Sequence, residues 1–349
     1  MKAVIDEKIP FLREALERMG HSVVALPGVK ICADDVADAD ALFVRTRTRC
    51  DKVLLHGSKV RFIGTATIGY DHIDSAYCAE NGIRWASAAG CNAGAVLQYV
   101  QSVIYAWSKE RDCPVEGLSL GIVGVGEIGS RVAAWAEEAG MTIYRNDPPR
   151  QEKEGGDAFV SLAEIAEKCD IITFHPTLER KGRCPSYHLA DEPFFASLKR
   201  CRLLINASRG PVVDNKALLS ALESGGLPDA VLDVWEDEPD LLLPLLNKVY
   251  IATPHIAGYS AEGKLNATAL VLKAFASFSG YAGELHLPQL PAPEPSTIAA
   301  PAFADAMLRI YNPHADSLRL KQSPSTFEEQ RNNYLLRREP AAYKILLEM

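Results

Sequence analysis

No stretch of this 349-residue chain approaches the ~18 consecutive apolar residues that a membrane-spanning helix requires. No apolar leader precedes the first strand-like run at residues 2–6, so the expected location is the cytoplasm. Paired cysteines are missing as well. The eight cysteines, at 32, 50, 78, 91, 113, 169, 184 and 201, are never closer than 13 positions, and neither a CxxC nor a zinc-finger spacing occurs. They are expected to be reduced thiols serving as small apolar groups, with no metal site among them. Basic excess is lacking too: 37 Lys and Arg face 45 Asp and Glu, for a net charge of −8. That balance argues against nucleic acid or an anionic membrane as partner, while leaving room for a local basic pocket. No internal repeat or low-complexity segment is visible.

What is present is organised around residues 118–129, LSLGIVGVGEIG. Leu120, Ile122 and Val123 read as a buried strand, and the turn after it is Gly124-x-Gly126-x-x-Gly129. Beyond the turn, Ile128, Val132, Trp135, Ala136 and Ala139 fall at helical spacing, and Gly140 stands where a helix would stop. Strand, glycine turn and helix form a dinucleotide-binding fingerprint. The first glycine allows the tight turn, the second lets the backbone reach a pyrophosphate, and the third packs the helix on the sheet. The first helical residues, Glu127 and Ile128, would then offer N–H groups to phosphates. A second strand, 142–144, leads to Asp147, 18 residues past Gly129. An acid there accepts bonds from ribose hydroxyls and repels a 2′-phosphate, which favours NAD over NADP.

Strand and helix patterns alternate on both sides of this element, which implies parallel sheets covered on both faces. Residues 1–91 carry five short apolar runs, and two loops there stand out: Arg45-Thr46-Arg47-Thr48-Arg49 and the stretch 64–72, GTATIGYDH. Both lie at the carboxyl ends of predicted strands, where ligands of open α/β sheets bind. Residues 92–255 hold about six strands, a complete dinucleotide domain. A long apolar helix follows, to about 282, and then five prolines between 288 and 301 make a stiff linker. The final stretch has apolar-periodic segments at 303–310 and 327–336 and a short run at 343–347. That is thin for an independent core, so it is expected to pack on something else, a second copy of the chain being the first choice.

Three more motifs each begin at the carboxyl end of a predicted strand: 206–214 (NASRGPVVD), 233–239 (DVWEDEP) and 253–259 (TPHIAGY). Oxidising a 2-hydroxy acid requires a base for the hydroxyl proton, a cation for the carboxylate, and an acid that orients the base. His255, Arg209 and Glu238 fit these roles in that order. The planar fork of Arg suits a carboxylate, and a carboxylate on an imidazole favours the imidazolium.

These motifs together resemble the signature of the NAD-dependent D-2-hydroxyacid dehydrogenases. The resemblance implies two doubly wound parallel-sheet, Rossmann-like α/β domains and a small C-terminal α+β dimerisation module. It divides the chain into a discontinuous substrate domain (1–91 and 256–282), an NAD domain (92–255) and the module (283–349), which would make a homodimer. More narrowly, GTATIGYDHID, AGCNAGAV, NDPPR, PHIAGYSAEGK and NNYLLRRE resemble the branch that oxidises 4-phospho-D-erythronate in pyridoxal 5′-phosphate biosynthesis. Matched position by position, Arg209, Glu238 and His255 are implied to be catalytic, with His255 the proton donor of the ketone-reducing direction. Gly124, Gly126, Glu127, Ile128, Gly129, Asp147, Pro176, Ala207, Ser208, Arg209, Asp233 and Gly258 are implied cofactor contacts. Arg45, Thr46, Arg47, Thr67 and Tyr259 are implied substrate contacts, the arginines for a phosphate. Arg337 or Arg338, reaching across from the partner's tail, is expected to close over that phosphate.

There are departures from the pattern. Pro176 stands where a Thr is usual, so a contact there must use its carbonyl or ring. Gln98 replaces a commonly acidic residue, and the sequence reaches Met349 before the strand and helix that usually complete the module. A 3-phosphoglycerate or hydroxypyruvate dehydrogenase would share every catalytic motif. An NAD-sensing corepressor could share the scaffold, although it would tolerate loss of His255.

Overall fold

The computed structural model describes residues 1–156 and 158–348. The chain divides into two compact units, residues 1–92 with 260–292, and residues 93–259 with 293–349.

The first unit is built on five parallel strands, β1 (Lys2–Asp6), β2 (Ser22–Leu26), β3 (Ala41–Val44), β4 (Phe62–Thr65) and β5 (Arg84–Ser87), in the order β2-β1-β3-β4-β5. All four residues of β3 and of β4 are buried, as expected of central strands covered on both faces. The helix Ala261–Ser279 closes one face, with Phe275 set edge-on to Phe43 at 5.2 Å between ring centroids. Because β3 and β4 are neighbours, the loops after them share one edge of the sheet.

The second unit contains six parallel strands: β6 (Ser119–Val123), β7 (Thr142–Asn146), β8 (Ile171–Phe174), β9 (Leu203–Asn206), β10 (Asp229–Leu232) and β11 (Ile251–Ala252). Their order is β11-β10-β9-β8-β6-β7. The apolar runs of β8, β9 and β10 split residue by residue between two cores. Ile172, Leu204, Ala230 and Leu232 enter one layer, while Ile171, Leu203, Ile205 and Val231 enter the other. Sheet order reverses between β6 and β8, the strands that flank the start of the fingerprint, and ligands of doubly wound sheets bind at such a switch.

The C-terminal stretch joins this second unit. β12 (Thr297–Ala300) and β13 (Lys344–Leu347) pair in parallel as a small sheet of their own. Between them run the helices Phe303–Ile310, Pro313–Gln322 and Phe327–Asn332. This segment buries anchors of its own within the chain: Met307 and Tyr311 in one core layer, Leu320 and Phe327 in the other. The reason lies at the edge strand. β11 would expose unpaired backbone, and the helix Pro313–Gln322 covers it, with the Ser317 hydroxyl accepting the Ala252 N–H at 3.0 Å. That helix has little apolar periodicity, so the sequence pattern did not reveal it.

Candidate functional site

The fingerprint glycines divide their labour as the sequence implies. Gly124 has φ 85°, and a Cβ there would lie 2.5 Å from the Pro176 nitrogen. A Cβ on Gly129 would lie 2.1 Å from the Gly124 carbonyl oxygen, so the helix Glu127–Glu138 can sit this close only on glycine. At Gly126 a Cβ would meet nothing within 4 Å. The middle glycine thus borders open space at the helix N-terminus, where the N–H groups of the first turn lack intrahelical partners, and this cradle fits a pyrophosphate. Asp147 follows β7. One of its oxygens accepts the Val125 N–H at 2.8 Å and the other accepts the Arg150 N–H at 3.1 Å, capping the helix Pro148–Glu154. Its carboxylate is therefore fixed against the glycine turn, with lone pairs left for ribose hydroxyls. Pro176 lies directly against the turn. Its neighbour His175 is half-buried, and desolvation pushes its basicity down to about 3.

The motifs after β9, β10 and β11 are stitched to one another. A Cβ on Gly210 would fall 1.9 Å from the Trp235 carbonyl oxygen, so the loop carrying Ala207, Ser208 and Arg209 lies against the loop carrying Glu238. Glu236 accepts the Asn215 N–H at 2.9 Å, and the Trp235 indole N–H donates to the Thr253 carbonyl at 3.1 Å. Arg209 is half-buried, and its guanidinium donates to the Ser208 carbonyl at 2.8 Å.

Within this arrangement, His255 Nδ1 lies 2.8 Å from Glu238 Oε2. The other carboxylate oxygen of Glu238 accepts the Trp235 N–H at 2.9 Å. With its proton on Nδ1, His255 keeps Nε2 for a substrate. Burial alone would push the Glu238 acid up. The facing His255, the bonds from its ring and from Trp235, and the charge of Arg331 outweigh that and hold it below the usual carboxylate range. His255 has φ 58°, a left-handed conformation that only a well-determined loop retains. The loop is determined by Asp233, whose carbonyl accepts the His255 N–H at 2.8 Å and whose carboxylate accepts the N–H groups of Ile256 and Ala257 at 2.8 and 2.9 Å. The Asp233 carboxylate also takes the Thr253 hydroxyl, which is bonded in turn to Tyr99. Buried among these groups, the Asp233 acid is pushed up, because desolvation outweighs its neighbours. Gly258 and Tyr259 continue the same turn, the Tyr259 N–H donating to the Ile256 carbonyl.

Two features here escaped the sequence reading. Arg337 does not reach toward a partner: it is buried in its own chain, donating to the carbonyls of Ala95, Ile256 and Ala257 and to Gln98. A guanidinium with all these bonds cannot close over a substrate phosphate. Gln98 gains a purpose by the same token, accepting from Arg337 at 3.0 Å and donating to the Arg338 carbonyl at 3.1 Å. The second feature is Arg331, whose Nη1 lies 3.7 Å from Glu238 Oε2 and whose Nε donates to the Tyr259 hydroxyl at 3.3 Å. The sequence signal was a weak one, the i, i+4 spacing of Phe327 and Arg331.

In the first unit, Arg45, Thr46 and Arg47 occupy the loop after β3, and Thr67 the loop after β4. The Arg45 guanidinium forks onto the fully buried carboxylate of Asp6, with Nε at 2.9 Å. Its charge is largely matched at home, which leaves it less to offer a phosphate than the sequence suggests. Thr46 and Arg47 are exposed on that edge. Thr67 is half-buried, its hydroxyl bonded to the Gly69 carbonyl at 2.9 Å and paired with that of Thr65.

A doubly wound domain with an open glycine cradle, an acid fixed against that turn and a histidine–glutamate pair after a strand of the same sheet has the architecture of an NAD-dependent hydroxyacid oxidoreductase. Residues 94–257 match the NAD-binding domain of the D-isomer specific 2-hydroxyacid dehydrogenases. Solved structures agree: a D-lactate dehydrogenase from Aquifex aeolicus with NAD and lactic acid is 25% identical, covering 80% of this chain and 96% of its own, with a TM-score of 0.62. A glyoxylate reductase from Paecilomyes thermophila is 26% identical over 83% of this chain and 98% of its own, with a TM-score of 0.65. Over nearly the whole length the similarity is narrower. Erythronate-4-phosphate dehydrogenase of Bacteroides fragilis is 50% identical over 347 residues, 99% of both chains, and that of an Enterobacter species is 43% identical over 97% of this chain and 92% of its own. The chain belongs to the erythronate-4-phosphate dehydrogenase family of 2-hydroxyacid dehydrogenases.

Proposed function

We propose that this enzyme oxidises 4-phospho-D-erythronate to (R)-3-hydroxy-2-oxo-4-phosphobutanoate with NAD, a step of pyridoxal 5′-phosphate biosynthesis, in the cytoplasm. The single observation that carries the chemistry is the 2.8 Å contact between His255 Nδ1 and Glu238. The choice of acid rests on the full-length similarity to erythronate-4-phosphate dehydrogenases.

Each residue has a role in the balance of the reaction. The hydroxyl proton on C2 passes to His255 Nε2, and the ionised Glu238 stabilises the imidazolium that forms. Arg209 grips the substrate carboxylate and polarises the developing carbonyl. NAD, when bound, accepts the hydride that leaves C2. The glycine turn with Glu127 and Ile128 holds its pyrophosphate, and Asp147 its ribose. Pro176, Ala207, Ser208, Asp233 and Gly258 complete its pocket. Thr46, Arg47, Thr67 and Tyr259 hold the substrate, with Arg45 in a supporting place beside Asp6. In this reading the unit of residues 1–92 and 260–292 is the substrate domain.

Purified protein mixed with NAD and 4-phosphoerythronate should produce reduced nicotinamide, followed by absorbance. The same assay with 3-phosphoglycerate and with hydroxypyruvate and reduced cofactor should be at least ~10²-fold poorer in kcat/KM. A preference for either of those compounds would overturn the assignment.

We also propose a homodimer through residues 293–348. What supports it is exposed apolar surface concentrated there: Phe303, Leu318, Leu335, Leu336, Leu346 and Leu347 all face solvent in the single chain, Leu335 at 89%.

A further inference from the structure

Arg331 sits on the short tail helix Phe327–Asn332, one turn after Phe327, and a helix places residues four apart on the same face. Phe327 is fully buried in the core of the second unit, so the face that anchors the helix also delivers the guanidinium. Arg331 is held at three points: the Tyr259 hydroxyl at 3.3 Å, Glu238 Oε2 at 3.7 Å, and Glu328 of its own helix at 3.9 Å. The Glu238 oxygen it approaches is the one that His255 Nδ1 contacts. One carboxylate oxygen is therefore shared between the imidazole and a permanent cation from a segment more than ninety residues further along the chain.

We propose that Arg331 is a positioning residue for the acid–base pair, fixing the Glu238 carboxylate and the Tyr259 hydroxyl on one guanidinium, so that the tail completes the site in cis. The inference rests on the catalytic reading of Glu238 and His255 given above. Its electrostatic consequence is specific. The groups facing the pair are Asp233 behind the His255 loop, Arg331 from the tail helix, and Glu328 beyond Arg331. Arg331 is the cation among them that adjoins Glu238, so its removal leaves that carboxylate easier to protonate.

The test compares Arg331→Met and Arg331→Lys with the parent. In the protein without substrate, carbon-13 labelling of glutamate carboxyl groups, with the Glu238 resonance assigned through Glu238→Gln, reads the protonation midpoint of Glu238 directly. The expected result is a midpoint raised by about half a unit to one unit in Arg331→Met, a ~3–10-fold gain in proton affinity, and restored in Arg331→Lys. In turnover, the acid limb of kcat/KM should move to higher pH in Arg331→Met, with kcat falling ~10–100-fold and the KM for NAD unchanged. A Met variant that melts normally and shows neither the midpoint shift nor the kcat loss overturns the proposal. So does a Lys variant that behaves like Met. Failure of the parent to oxidise phosphoerythronate would instead defeat the functional reading, while the carboxyl titration would still decide the role of Arg331.

Discussion

The carboxylate of Asp233 and the guanidinium of Arg337 hold the backbone of the same two residues, Ile256 and Ala257. Asp233 accepts the N–H groups of Ile256 and Ala257, and Arg337 donates to the carbonyls of those residues. The face of Arg337 lies over the Tyr311 ring at 4.4 Å. Between the two charges the backbone that begins at His255 has little freedom, which is how a left-handed histidine is kept in place. Arg337→Met would leave the carbonyls of Ala95, Ile256 and Ala257 and the side chain of Gln98 without their donor, inside a buried region. A loss of ~3–5 kcal/mol is expected, with a lower Tm and a kcat that falls with it. Chemical denaturation of the variant checks this; a stability within ~1 kcal/mol of the parent would contradict the clamp.

The glycines of the turn give a contrast within six residues. Gly129→Ala places a methyl 2.1 Å from a backbone oxygen and is expected to destabilise the protein by ~1–3 kcal/mol. Gly126→Ala meets no protein atom. It should melt like the parent yet bind NAD at least ~10-fold more weakly, because the methyl occupies the space of the pyrophosphate. Thermal melts beside NAD titrations by fluorescence separate the two effects.

Removing the acid–base pair should be costly to turnover and mild to folding. His255→Gln and Glu238→Gln are each expected to lower kcat by ~10²–10⁴, with the KM for NAD little changed. Steady-state kinetics with 4-phosphoerythronate reads this directly.

Glu238 also makes a prediction about stability and pH. Its acid is held below the usual value, about 4.3 for a free glutamate. A depressed folded value means that the stabilisation is fully present above the unfolded value and is lost as pH falls through the folded one. The parent should therefore lose its stability advantage over Glu238→Gln as pH drops below about 4, and hold it steady from 5 to 7. Urea denaturation at a series of pH values would show this, and an advantage that grew on acidification would count against the ionised state.

In the proposed function Asp147 carries coenzyme choice as well as the cap of a helix. Asp147→Ser keeps a cap for the helix Pro148–Glu154 while removing the charge, so the ratio of NAD to NADP affinity should fall ~10-fold or more. Parallel coenzyme titrations check this.

The exposed leucines of the tail predict assembly. Leu335→Glu with Leu336→Glu should shift the sedimentation coefficient from dimer to monomer at micromolar protein, with the fold intact by circular dichroism. A parent that sediments as a monomer would overturn the proposed dimer.

Much of this protein follows from local chemistry that a linear sequence displays. The Gly124–Gly126–Gly129 spacing and the continuous apolar runs of β8 to β10 determined the doubly wound sheet, because backbone conformation and burial on both faces are dictated by residues near in sequence. The placement of His255, Glu238 and Arg209 was legible for a similar reason: each follows a strand, and parallel strands deliver all their carboxyl ends to one edge. Only tertiary structure decided the work of the tail. Arg337 and Gln98 are 239 positions apart, and the sequence pattern contains nothing that fixes which peptide carbonyls a buried guanidinium will satisfy. The helix Pro313–Gln322 was hidden because its worth lies in covering the edge of β11 rather than in an apolar stripe of its own. Arg45 shows the same limit from the other direction: a cation in a loop looks available until the fold sets the buried Asp6 beside it.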